Sequence, residues 1–171
     1  MWRDLTPIQK LALAALVALL GWILWNSMPA RDIYVSDIKE WTINKWEWLG
    51  PQRDASVEGR SLMIGEKYYP KGIGVHAASE ITVPVPPEYT RFLADVGVDD
   101  EIKAGAPSSV VFKVLGDGVV LYESPILKAA MPPYRVDVGV ERVHTLTLVV
   151  TDASDGTNSD HADWGNARFA Q

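Results

Sequence analysis

No cysteine occurs anywhere in the 171 residues of this chain. That excludes disulfides, thiolate metal sites and lipid attachment at a cysteine, while leaving the compartment open. Positive charge is scarce as well. Sixteen Lys and Arg stand against 22 Asp and Glu, and residues 33–171 alone carry 13 basic and 20 acidic side chains. A net of −7 over that stretch argues against nucleic acid as a partner, since phosphate neutralisation dominates such affinity. It argues equally against docking on an anionic lipid surface. Beyond residue 32 there is no helical period of any length, no internal repeat and no low-complexity tract. Catalytic signatures are missing too. Neither G-x-S-x-G nor H-E-x-x-H occurs, and His76, His144 and His161 have no motif-level partner. The chain reads as non-catalytic.

What is present begins with one long apolar run, Leu11 to Trp25 (LALAALVALLGWILW). With its flanks it predicts a single transmembrane helix over about 7–28, close to the length that crosses ~30 Å of hydrocarbon. Thr6 as N-cap, Pro7 at the first helical position and Gln9 three residues past the cap mark its start. Pro29 marks its end. Trp2 and Trp25 are spaced to sit at opposite interfaces. A cleaved signal peptide is the competing reading, but Asn-Ser-Met-Pro-Ala makes a poor cleavage site. Residues 1–32 are therefore expected to be a membrane anchor and short tether. Lys and Arg counts on the two flanks do not decide orientation. A ten-residue tail before a large domain suits a signal anchor in the cell inner membrane, with the C-terminal domain periplasmic.

Residues 33–171 read as all-β. Short apolar runs recur at Ile33–Ile38, Ser56–Ile64, Lys67–Tyr69, Ile73–His76, Ser79–Val85, Phe92–Val98, Val110–Leu115, Val119–Glu123, Tyr134–Val138, His144–Thr151 and Ala167–Phe169. Gly116-Asp117-Gly118 is a hairpin signal. About ten short strands with turns every eight to fourteen residues predict a sandwich or barrel.

Three stretches concentrate polar chemistry. Asp152 to Trp164 places four aspartates, a histidine and an indole within thirteen residues, and reads as an ordered loop leading into a last strand. Lys71-Gly72-Ile73-Gly74-Val75-His76-Ala77 matches G-x-G-x-x-A on paper. The residues after it are strand-like and proline-rich, so no helix N-terminus is available for a pyrophosphate. A tight turn into a strand is the better reading, with His76 either buried and hydrogen-bonded or in contact with a ligand. Val98-Asp99-Asp100-Glu101 ends a strand in three acids, and adjacent strand residues face opposite sides. Asp99, Asp100, Asp155 and Asp160 are candidate oxygen ligands for a structural calcium ion. The alternative is that they accept backbone N–H bonds and hold their loops. Trp46, Trp48 and Trp164 are candidate sugar platforms, and equally candidates for ordinary packing.

Taken together, several of these residues resemble the NPCBM family, carbohydrate-binding module family 51. They are Tyr34-Val35-Ser36-Asp37, Gly59 with Leu62, Tyr69 through Ala77, Val96 through Glu101, Asp117-Gly118 with Leu121-Tyr122, and Asp160-His161-Ala162-Asp163-Trp164. The resemblance covers residues 33–170. It implies a jelly-roll-like β-sandwich, often appended to glycoside hydrolases and sometimes holding calcium. It leaves two functional readings. The first is a membrane-anchored accessory subunit of a membrane protein complex, with lipid contacts through residues 7–28 and protein partners. The alternative is a carbohydrate-binding module that tethers the membrane to a surface or cell-wall glycan. In the second case Trp46, Trp48, His76, Asp163 and Trp164 are the expected ligand residues. Segments 152–164, 72–76 and 99–100 are expected to meet at one end of the fold.

Overall fold

The computed structural model describes residues 6–26 and 31–171. The chain divides into two compact units, Met1–Arg31 and Asp32–Gln171. The first contains helix α1 (Pro7–Asn26). Its start is the capping box expected from Thr6 and Gln9. The Gln9 N–H donates to Thr6 Oγ1 (3.3 Å), and the Thr6 N–H donates back to Gln9 Oε1 (2.8 Å). Leu11, Leu16, Val17, Leu19, Leu20 and Trp22 are all exposed. Among the described residues no helix is long and apolar enough to cross a membrane. Trp2, the side chain of Trp25, Met28 and Pro29, all used in the expected span, lie outside the described residues.

The second unit is built from β1 (Ile33–Tyr34), β2 (Thr42–Lys45), β3 (Gln52–Arg53), β4 (Leu62–Ile64), β5 (Lys67–Tyr69), β6 (Gly72–His76), β7 (Ser79–Pro84), β8 (Arg91–Val98), β9 (Val111–Gly116), β10 (Val119–Glu123), β11 (Tyr134–Gly139), β12 (Thr145–Thr151) and β13 (His161–Ala170). One sheet runs β11-β8-β13-β6-β3, with β1 also paired to β13, and the other runs β10-β9-β12-β7-β2. The all-β sandwich expected from the sequence is what forms. Its interior is closed by aromatic contacts between sheets, with Phe112 of β9 edge-on to Trp164 of β13 at 5.0 Å between ring centroids. Phe92 packs against both Trp164 and Phe169.

The two sheets are buried differently. Strands β7, β9 and β12 alternate, sending Ile81, Val83, Phe112, Val114, Leu146, Leu148 and Val150 inward. That is the period-2 pattern of a sheet with one wet face. By contrast β6, β8 and β13 each contain a run of consecutive buried residues. The reason is a cover on their outer face. The β4–β5 hairpin places Leu62, Ile64 and Tyr69 there, essentially inaccessible to water. Glycines in the sheet permit the close approach of this hairpin and of the 55–56 backbone. A Cβ at Gly97 would stand 2.3 Å from Ile64 Cγ2, and one at Gly74 would stand 2.4 Å from the Ala55 carbonyl oxygen.

The hairpin at Asp117-Gly118 forms as the sequence predicts. Both residues have positive φ (47° and 82°), as a type I′ turn requires. The Asp117 carboxylate accepts the backbone N–H groups of His144 and Thr145, which ties the turn to β12 and lowers its pKa to about 2.

Elsewhere the strands differ from expectation. Ile33–Ile38 is strand only as far as Tyr34 and then becomes a 3-10 turn, Val35–Asp37. Residues 56–61 form no strand, and the chain turns and bends at 57–60. Strand β2 is fully exposed, so its sequence carries no burial pattern to read. The last strand begins at His161, six residues before the expected Ala167. Between two neighbours and under a cover, it has no wet face to produce alternation.

The close approach at Gly74 is testable. Gly74→Ala is expected to lower stability by about 1–3 kcal/mol or more, because the clash is with backbone that has no rotamer to change. Urea unfolding would measure it. A midpoint matching the wild type would show that the 55–61 turn does not rest on β6.

Candidate functional site

The central strand β13 brings the three polar segments together. His161 lies directly opposite His76 of β6, and Ala162 lies opposite Val98 of β8. The Asp99 N–H donates to the His161 carbonyl and the Ala77 N–H to the Asp160 carbonyl, both at 3.0 Å. The expected meeting of 152–164, 72–76 and 99–100 at one end of the fold is therefore observed.

Directly opposed residues in an antiparallel pair share a face. His76 and His161 accordingly stand side by side, with ring centroids 5.4 Å apart, and both are nearly buried. Trp48 completes a triangle with them, at 5.4 Å from His76 and 5.2 Å from His161. Its backbone is left-handed (φ 60°) and its side chain is 60% exposed. These three rings, with Thr157, Asn158 and Ser159, line a shallow depression of about 350 Å³.

Both histidines are held from behind. His161 Nδ1 lies 2.6 Å from Glu101 Oε1, and His76 Nδ1 lies 2.5 Å from the Ala77 carbonyl oxygen. Burial lowers the His76 pKa, and neighbouring His161 adds to this, against the raising effects of the Ala77 carbonyl and Glu47. His76 is thus neutral at physiological pH. An exposed indole beside fixed imidazole edges can stack on one face of a small ring and exchange hydrogen bonds with its rim.

The aspartates do other work. Asp99 accepts the N–H groups of Met63 and Glu101, and Asp100 those of Gly65 and Glu66. Asp160 accepts the Ser109 N–H, and Asp155 the Ser109 hydroxyl. The four are split between two separate pieces of backbone. Among the described residues no group of three or more His, Asp or Glu side chains is placed to hold a metal ion. Calcium bound by Asp99, Asp100, Asp155 and Asp160 does not fit this arrangement, and the loop-holding alternative does.

Two expected ligand residues are also displaced. Trp164 is completely buried in the interior between the sheets. It alternates with Asp163 along β13, so one faces the sandwich interior and the other the covered outer face. Asp163 is equally inaccessible, opposite Gly74 on one side and Gly97 on the other. Neither Asp163 oxygen receives a hydrogen bond. Burial raises its pKa well above the usual carboxylate range, as do the adjacent Asp99 and Glu101. Burial without a partner thus favours the uncharged carboxylic acid at Asp163, with Asp99 as the neighbouring carboxylate. Trp46 is exposed but does not line the depression. His76 and Trp48, also among the expected ligand residues, line the depression. His161 and Glu101 were not among the expected site residues. The available signal was the histidine inside Asp-His-Ala-Asp-Trp, on the strand facing His76.

Fold and site define a class: an antiparallel β-sandwich with an aromatic-walled surface depression at one end. The model for the NPCBM/NEW2 domain matches residues 31–170, and the chain belongs to that family. It is 34% identical over 148 residues to a provisionally named endo-alpha-N-acetylgalactosaminidase of Renibacterium salmoninarum, covering 82% of this chain and 10% of that protein. It is 36% identical over 115 residues to alpha-1,3-galactosidase B of Akkermansia muciniphila, covering 65% of this chain and 14% of that protein. The chain thus spans only a small part of these relatives. Among solved structures, CBM51 from Clostridium perfringens GH95 in complex with methyl-galactose matches with a TM-score of 0.74 at 31% identity, over 82% of this chain and all of that one. CBM51-2 of C. perfringens ZmpB, in complex with GlcNAc and with INT domains, matches with a TM-score of 0.74 at 32% identity, over 84% of this chain and 32% of that one.

The raised pKa of Asp163 predicts a pH dependence. Its folded pKa lies above its unfolded value, so its contribution is full below about pH 4 and is lost as pH rises through the folded pKa. Asp160, raised to about 6 chiefly by burial, adds the same sign between about pH 4 and 6. Asp163→Asn keeps the shape and supplies an N–H to Asp99 without titrating. Its thermal midpoint is expected to match the wild type near pH 4.5 and to equal or exceed it at pH 8. A variant less stable at both pH values would show that Asp163 is ionised in the folded protein.

Proposed function

We propose that this chain is a carbohydrate-binding module that holds one sugar residue of a glycan in the Trp48–His76–His161 depression. The observation that carries the reading is the triangle itself: a large, exposed indole standing over two imidazoles fixed from behind. Family membership supports it, as does the likeness to modules solved with methyl-galactose and with GlcNAc. Binding here means recognition without bond cleavage. No carboxylate lines the depression, and the neighbouring Asp99 and Glu101 are committed to backbone N–H groups and to His161.

The glycan reading displaces the accessory-subunit reading. That one rested on the apolar helix, and neither the family nor its solved members adds support. A membrane tether through residues 7–28, with the module on the periplasmic side, goes forward as a separate proposal. It is supported by the capped start at Thr6 and by exposed apolar side chains along α1. Carbonate-washed membranes should retain the full chain and release one lacking residues 1–30. Equal release of both would dismiss the tether.

For the site, calorimetry with methyl galactoside and N-acetylglucosamine is the direct test. Trp48→Ala is expected to weaken binding of whichever sugar is bound by at least about tenfold, or roughly 1.4 kcal/mol. Trp46→Ala, outside the depression, is expected to change it less than about twofold. Equal losses in the two variants would remove Trp48 from the site.

A further inference from the structure

We infer that Glu101 is a positioning residue: it fixes His161 as a hydrogen-bond acceptor toward the depression, and the site thereby selects uncharged sugar residues over sulfated or uronic ones. This rests on the glycan reading above and says which glycans that site admits.

The inference starts from which ring nitrogen carries hydrogen. The Glu101 side chain is almost wholly buried. Its Oε1 faces His161 Nδ1 at 2.6 Å, while its Oε2 accepts the Ser56 hydroxyl at 3.1 Å and lies 4.0 Å from the Arg60 guanidinium. A carboxylate only accepts, so His161 Nδ1 carries the hydrogen. A neutral imidazole has one N–H, which leaves a lone pair on Nε2. The same reasoning holds at His76, where a backbone carbonyl accepts from Nδ1. Each ring thus has its Nδ1 edge engaged by the protein and its Nε2 edge left for the depression. No protein group among the described residues hydrogen-bonds either Nε2.

The rest of the lining agrees. Trp48, Thr157, Asn158 and Ser159 contribute no positive charge, and neither Lys nor Arg lines the depression. Arg60 is turned toward Glu58 and Glu101. Of the charges that act on the two imidazoles, Glu101 and Asp160 are negative, and Glu47 is paired with Lys45 at 3.9 Å. Two acceptors beside an indole call for a ligand that brings O–H donors along its rim and a C–H face to stack. A neutral pyranose does so. A sulfate or carboxylate brings only acceptors and negative charge, which leaves the Nε2 atoms unpaired and adds repulsion.

The test uses the full chain, with methyl galactoside, N-acetylglucosamine, galactose 6-sulfate, galactose 3-sulfate and galacturonate titrated at pH 8, and 15N spectra of its imidazoles recorded alongside. The wild type is expected to bind at least one neutral sugar roughly tenfold or more tighter than any anionic one. Its His161 is expected to show the Nδ1–H tautomer. Glu101→Gln, whose amide can present either a donor or an acceptor to Nδ1, is expected to lose that single tautomer and to narrow the ratio to about threefold or less. Ser56→Ala removes the hydroxyl bonded to Glu101 Oε2 without touching the imidazole bond, and is expected to keep both the tautomer and the ratio. Anionic sugars bound as tightly as neutral ones, or an Nε2–H tautomer in the wild type, would overturn the inference while leaving the glycan reading standing. Failure to bind any sugar would overturn both.

Discussion

The binding end depends on one steric condition: the outer face of β6 and β8 is flat where it meets the cover. Gly74 and Gly97 leave no side chain there, so the backbone of 55–56 and the side chain of Ile64 lie directly on the sheet. Asp163, set between those glycines, is sealed in, and burial raises its pKa. Its neighbour Asp99 holds the backbone of Met63 and of Glu101. Glu101 in turn holds His161. The path from a missing Cβ to the orientation of an imidazole thus runs through neighbouring named groups.

This ordering separates two kinds of polar residue that look alike in sequence. The aspartates are almost entirely scaffold. They satisfy backbone N–H groups that a turn leaves unpaired, and an unpaired buried donor costs more than a hydrogen bond gains. The histidines face outward because the register of β6 and β13 puts them on one face at the end of the sheet, beyond the reach of the cover. Trp48 and Trp164 divide in the same way. One is exposed on a left-handed backbone position, the other is the largest side chain of the buried interior.

Much of the fold is legible in the residues, and the exceptions have physical reasons. The Asp117-Gly118 hairpin and the alternating strands β7, β9 and β12 can be read directly, because a sheet with one wet face writes its geometry as a period of two. Strand β13 cannot. Its first half is buried on both faces, so Asp-His-Ala-Asp-Trp shows no alternation and looks like a loop. Strand β2 fails for the opposite reason, since no residue in it is buried. At the site, clustered aspartates suggested a metal, but charge near charge in sequence does not imply convergence in space. The glycine-rich turn before His76 marks that histidine, but leaves open whether it is buried or faces a ligand. The His161–Glu101 bond spans sixty residues and is set by strand register, which no local pattern encodes.

Strand β1 has a consequence for how such a module travels. Ile33 pairs with Phe169 and Tyr34 with Arg168, and Asp32 is bonded to Arg168 Nε at 2.6 Å. The polypeptide therefore enters and leaves the sandwich as neighbouring antiparallel strands. A domain with its two ends side by side occupies a host sequence as a loop does. It can be spliced between two other domains, or doubled in tandem, while the flanking chain has only a strand spacing to bridge.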